Sequence, residues 1–180
     1  IEISAAYNSF KQVSESINQY NASLQHIPSL TPIIGDQIQL AQNITEIGMH
    51  SSQLITLLTN EISEDDTIMP TETLQNLQLH FAGIRQGLVE SRDEIAQIRL
   101  NTIPEEWQTH VAYVKDHIDI VITGIERAEL QLDVLYHMLG GESFQRYLVL
   151  FQNNRELRAT GGFIGSYALV DISKGTIRDI

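Results

Sequence analysis

The chain has 180 residues, 42% of them apolar, with a net charge of −12 and no cysteine. That length holds one large domain, or one domain and part of another, and the composition is that of a globular polypeptide rather than a disordered one. The lack of cysteine excludes disulfides, thiolate metal sites and a cysteine nucleophile.

The charge is unevenly placed. Residues 1–140 carry 6 Lys/Arg against 19 Asp/Glu, a net of −13, whereas residues 141–180 carry 5 against 4. An acidic N-terminal region repels phosphate backbones, so no nucleic acid is expected as a partner. No run of about eighteen apolar residues is present to span a membrane. The chain opens at Ile1 without a methionine and closes at Ile180 inside strand-like sequence, so it reads as a piece of a longer protein.

The first helix is expected from about Glu2 to Ile27. From Phe10 its apolar residues Val13, Ile17, Tyr20, Leu24 and Ile27 follow at spacings of 3 and 4, the rhythm of a long helix packed on another. Pro28 and Pro32 are expected to stop it, and Asp36 to cap a second helix over about Gln37 to Ile62. Ile44, Ile47, Leu54, Leu58 and Ile62 would line that helix, with Gly48, Ser51 and Ser52 small enough to admit a neighbour.

A third helix is expected from Thr71 to Leu100, with Leu74, Leu77, Phe81, Ile84, Leu88, Ile95 and Ile98 on its seam and Ser91 in one slot. Pro104 suits the first position of a fourth helix, and Glu105 and Glu106 suit its positive end. From Trp107 through Val111, Val114, Ile118, Val121, Ile125, Ala128, Leu132 and Leu135 to Leu139 the 4, 3 spacing holds without a fault. Gly140-Gly141 then supplies a left-handed stop. At ~1.5 Å per residue this helix is roughly 50 Å long, which only packing along its length makes stable. Short connectors make successive helices antiparallel, so residues 1–140 are expected to form a long antiparallel four-helix bundle, either up-down or as two stacked helical hairpins.

After Gly141 the pattern changes. Tyr147 to Phe151 is a continuous apolar run that reads as a strand buried on both faces. Phe163 to Ile172 reads as a second strand, and Ser173-Lys174-Gly175 as a turn into a third from Thr176. Residues 141–180 are therefore expected to be the first strands of a truncated α+β or α/β domain.

Asn153–Gly165 is the main candidate site. Asn153, Asn154, Arg155, Arg158, Thr160, Gly161 and Gly162 combine glycine-exposed backbone amides with guanidinium groups, a set that can hold a phosphate or carboxylate. The plainer alternative is a structural turn in which Glu156 pairs with one arginine. No catalytic residue can be assigned. The six histidines show no i, i+4 metal pair, so no metal and no cofactor is expected. His110 and His117, seven apart with Glu106 nearby, read as a solvated helix edge. Tyr7, Phe10, Tyr20 and Trp107 read as core.

The order Tyr147-Leu148-Val149-Leu150-Phe151-Gln152-Asn153-Asn154, then Glu156-Leu157-Arg158, then Thr160-Gly161-Gly162-Phe163-Ile164-Gly165-Ser166-Tyr167 resembles the hallmark of the bacterial family called domain of unknown function 4012. The resemblance covers about the last forty residues. It implies a membrane anchor upstream, a helical region, and a domain on the extracytoplasmic side of the membrane. On that footing the chain is a helical stalk presenting a binding domain to an envelope glycan or protein partner. The other reading is an enzyme on envelope glycopolymers, transferring a lipid-linked glycan phosphate with Arg155 or Arg158 as a clamp.

Overall fold

The computed structural model describes residues 2–24, 31–60, 68–153 and 162–180. It contains α1 (Glu2–Leu24), α2 (Thr31–Asn60), α3 (Thr71–Gln97), a short 3-10 turn (Leu100–Thr102) and α4 (Glu105–Met138), then β1 (Gln145–Asn153), β2 (Phe163–Ser173) and β3 (Thr176–Asp179). The chain is mainly helical with a C-terminal antiparallel sheet, as its periodicity predicts. One boundary differs clearly. α2 begins at Thr31, with Pro32 in its first turn, where a missing amide proton costs nothing. Asp36 is therefore inside the helix and not its cap.

The chain divides into two compact units, one of Ile1–Asn60 with Leu77–Leu130, the other of Glu61–Asn76 with Gln131–Ile180. In the first, neighbouring helices are antiparallel, because contacts descend on one helix as they ascend on the next. Asn18 accepts from Gln42 at 2.7 Å, and Phe10 sits over Gly48. Ile47 lies against Gly87, and His50 against His80 and Gly83. Arg92 meets Asp119, and Arg85 meets Glu129. Ile95, Ile118 and Ile122 form the buried cluster, flanked by Leu40, Leu88 and Ile98. Among the described residues α1 adds nothing to that cluster.

The third-helix seam is buried as expected, with Leu74, Leu77, Ile84, Ser91 and Ile95 all shielded. The other seams are each displaced at some positions. On α4, Ile118 and Ile125 are buried, as is Leu139 just past its end, but Val121 is 46% exposed while its neighbour Ile122 is 7% exposed. The inward slots are taken by Lys115, whose ammonium donates to the Ile98 carbonyl at 2.8 Å, and by Glu129, which accepts from Arg85 at 2.9 Å. On α2 the buried residues are Asn43, Thr45 and Ser52, while Ile44 is exposed. The Thr45 and Ser52 hydroxyls donate to the carbonyls of Ala41 and Gly48 on their own helix, so burial leaves neither unpaired. Tyr20 and Trp107, expected in the core, are exposed.

In the second unit α4 ends in a Schellman cap. Gly140 N–H donates to His137, Gly141 N–H donates to Tyr136, and Gly140 has φ of 73°. The sheet order is β1-β2-β3, antiparallel throughout. Lys174 and Gly175 both have positive φ, 52° and 78°, the geometry of the two-residue hairpin turn that matches strand twist. That turn is held from two sides. Its amides donate to Gly140 and Leu139, at 3.1 and 2.8 Å, and the Gly175 carbonyl accepts from Ile68 and Met69. The buried side chains of this unit, Thr71, Thr73, Leu74, Leu139, Asp171 and Ile172, all belong to the segments so joined or their neighbours.

Candidate functional site

The β1–β2 hairpin positions everything that the sequence marks as special in this region. Pairing runs from Gln145↔Ile172 out to Asn153↔Phe163, with one slip where Phe151 faces Ser166 but Gln152 faces Ile164. Gly165 is the extra residue of that bulge, which suits a residue with no side chain to place. Gly162 itself stays close to the end of β1. A Cβ on Gly162 would stand 3.0 Å from the Asn153 carbonyl and run into the Gln152 side chain. Of the expected anion-binding residues, Asn153 thus ends β1 and Gly162 lies buried just ahead of β2. Asn154, Arg155, Arg158, Thr160 and Gly161 lie outside the described residues, as does Glu156.

Directly opposed residues share a face of the sheet. One face carries Arg146, Leu148 and Leu150 from β1 against Asp171, Leu169 and Tyr167 from β2, with Ile164 beyond the bulge. Its apolar side chains are open: Leu148 is 58% exposed, Leu150 51% and Tyr167 69%. The other face carries Tyr147, Val149 and Phe151 against Val170, Ala168 and Ser166. Val149 and Phe151 are exposed there too, while the Tyr147 hydroxyl donates to Met138 at 2.6 Å. Among the described residues β1 is thus open on both faces, and none of them supplies the cover that its apolar run is expected to have. Its apolar run marks a strand whose side chains are available for covering, not one already covered.

A charged row crosses the end of the open face. Arg146 donates to Asp171 through Nε at 2.6 Å and Nη2 at 2.7 Å, a two-pronged pair. Asp179 of β3 stands opposite Asp171 on the far side. The hydrogen bonds from Arg146 hold the Asp171 carboxyl below its ordinary value, and the same pair raises the Arg146 guanidinium, with Asp179 adding to it. The arrangement orients an arginine and neutralises a carboxylate that is almost enclosed.

Among the described residues, no group of three or more His, Asp or Glu could hold a metal. His110 lies 6.0 Å from the Trp107 ring, and His117 stacks on Tyr113 at 4.0 Å, its Nδ1 bonded to the Tyr113 carbonyl. Sequence reasoning missed two pairings. Arg146 and Asp171 meet only once the β1–β2 register is known. His50 and His80 meet across α2 and α3 with their Nδ1 atoms 3.0 Å apart. In an antiparallel helix pair, positions with a constant sum face each other, and that was the signal available for the second.

The fold defines a helical chain ending in an antiparallel sheet with an open apolar face. Residues 142–180 match the model of the family described as "Protein of unknown function (DUF4012)", the family whose hallmark the motifs of β1 and β2 resemble. No curated protein and no solved structure matches the chain.

Proposed function

We propose that this chain is part of an extracytoplasmic cell-envelope protein whose C-terminal sheet is a docking surface for a partner protein; the second reading, favoured by apolar exposure on both faces, is that the same polypeptide covers the sheet. The observation that carries the reading is the open face of Leu148, Leu150, Ile164, Tyr167 and Leu169, contiguous across β1 and β2. Large exposed apolar patches mark interaction surfaces in soluble domains. The residues are mainly aliphatic, which fits an apolar protein surface better than the hydroxyl-rich face of a glycan. The oriented Arg146–Asp171 pair at one end supplies a polar rim of the kind that fixes register at such surfaces. The extracytoplasmic setting rests on the family resemblance described above, to which the match of residues 142–180 adds membership of that motif region only. No described helix is long and apolar enough to cross a membrane, so anchoring would come from elsewhere in the polypeptide.

These 180 residues hold no cysteine, so labelling of a cysteine introduced here, read against the parent protein as background, tests both parts. Single variants Ile120→Cys and Leu150→Cys are made in the full-length protein and treated with a membrane-impermeant maleimide in intact cells. Ile120 is on the exposed surface of α4. The proposal requires Ile120→Cys to label in intact cells. It also requires Leu150→Cys to label much more slowly there than in the purified protein. Labelling of Ile120→Cys only after lysis overturns the location. Equal rates for Leu150→Cys in both settings overturn the docking surface.

A further inference from the structure

We infer that the cleft between α2 and α3 binds a small aliphatic amine, a diamine by preference. The cleft has a volume of about 390 Å³. It is lined by Gln37 and Leu40 of α2, by Asp93, Glu94 and Gln97 of α3, and by Ile98 just past the end of α3. That is room enough for a small molecule. The lining combines two carboxylates, two amides and two aliphatic side chains, and none of it is basic. Such a surface suits a cation carried on a methylene stem and repels an anion.

Three enclosed polar atoms at this seam have no hydrogen-bond partner: Asn43 Nδ2, Ser91 Oγ and Glu94 Oε2. Asn43 and Ser91 are only 2% and 0% exposed. They close the inner end of the cleft. Gly87 lies against Ile47 and the Asn43 carbonyl. One turn along the antiparallel pair therefore sets Asn43 level with Ser91, and the next sets Leu40 level with Glu94. The Asn43 amide is turned along α2 toward the cleft, because its Oδ1 accepts from Gln39 at 2.9 Å. Thr45, Ser52, Thr56 and Thr123 each donate to the carbonyl four residues back, and Ser91 does not. Buried polar groups are almost always paired, so three unpaired atoms around one cleft point to a ligand that pairs them.

A primary ammonium offers three N–H donors and no acceptor. Glu94 Oε2 and Ser91 Oγ accept from it as they stand, the first through a charge-assisted bond. The Asn43 and Gln39 amides can turn over together. Their mutual bond then survives with the roles exchanged, Asn43 Nδ2 donating to Gln39, and Asn43 presents Oδ1 to the ammonium. The methylene stem lies against Leu40 and Ile98. A second ammonium at the mouth meets Asp93, which is exposed and only loosely engaged by Arg92 at 3.6 Å.

The test is calorimetric titration of the purified full-length protein with diaminobutane at neutral pH and low ionic strength, with butylamine and butanediol as comparisons. The proposal requires saturable binding of diaminobutane, weaker binding of butylamine and none of butanediol. Affinity should fall at least about ten-fold in Glu94→Gln, which removes the charge-assisted bond and keeps the shape. It should also fall in Ser91→Ala, although loss of an enclosed unpaired hydroxyl leaves the thermal midpoint of the free protein unchanged or higher. Glu126→Gln, which removes an equal charge from the exposed surface of α4, should bind as the parent does. Diaminobutane should slow hydrogen exchange in peptides covering 37–43 and 91–98 of the parent and not of Glu94→Gln. Circular dichroism establishes that each variant keeps its helix content. Failure of diaminobutane to bind saturably overturns the proposal. Equal losses in Glu94→Gln and Glu126→Gln also overturn it, because they mark diffuse attraction to an acidic chain.

Discussion

Gly175→Ala is the substitution to which the fold should be most sensitive for its size. Gly175 has φ of 78°, a conformation that costs an L residue about 1–2 kcal/mol. A Cβ there would collide with the Met69 carbonyl oxygen and stand 3.1 Å from the Pro70 Cα. Both are backbone atoms at the start of α3, so no side-chain rotation relieves the clash, and overpacking of this kind costs about 1–3 kcal/mol. If the turn withdraws instead, it breaks the bonds from Gly175 N to Leu139 and from Ile68 and Met69 to the Gly175 carbonyl. At about 1 kcal/mol each, these three are worth a similar amount. Either route gives a loss of about 2–5 kcal/mol. Urea unfolding followed by circular dichroism and by tyrosine fluorescence would measure it. Lys174→Gly, which relaxes the other left-handed position without adding an atom, should stay within about 1 kcal/mol of the parent. A Gly175→Ala variant within 0.5 kcal/mol of the parent would refute the clamp between the hairpin turn and the helix ends.

Other consequences follow from the same structure. Gly124 lies inside α4 with nothing within 4 Å of a Cβ, so Gly124→Ala should stabilise the chain by about 0.5–1 kcal/mol in the same urea assay. Asp171 has its carboxyl lowered from 3.8 by Arg146, so the contribution of the pair is complete above that value and is lost as pH falls through the lowered one. Asp171→Asn should therefore flatten the acid limb of a stability–pH curve, and an unchanged slope would count against the pairing. The backbone hydrogen bond to the Asp133 carbonyl raises His137, with Asp133 and Glu142 adding to it, whereas burial lowers His80. In a nuclear magnetic resonance titration His137 should show a midpoint above 6.5 and His80 one below it, and the reverse order would contradict both placements.

The sequence shows how helix seams are read and where they mislead. Strict 4, 3 spacing located α3 because nearly every inward position there is aliphatic, from Leu74 to Ile98. On α4 the same spacing is satisfied by two overlapping stripes. Val114 and Val121 complete the more apolar one, but the buried stripe passes through Lys115, Ile122 and Glu129. The polar members of that stripe find partners on the previous helix, and a hydrophobicity pattern cannot see a partner. α2 repeats the lesson in part: the Thr45 hydroxyl is held by the helix backbone and the Asn43 Oδ1 by Gln39, while the buried Asn43 Nδ2 has no partner. The strands were legible because turn residues and alternation bounded them. Their exposure was not, since an apolar run states only that a strand can be covered. The candidate loop remains a reading of residue types around Arg155 and Arg158, anchored by the structure at Asn153 and Gly162 alone.

The account depends most on what covers the face around Leu150. A photo-crosslinking amino acid placed at position 150 of the full-length protein, irradiated in its own cells, tests that directly. The account predicts an adduct whose mass is that of this chain plus a second polypeptide, and its loss when Leu148 and Leu169 are both changed to Asp. Crosslinks confined to the same polypeptide, or none at all, would contradict it.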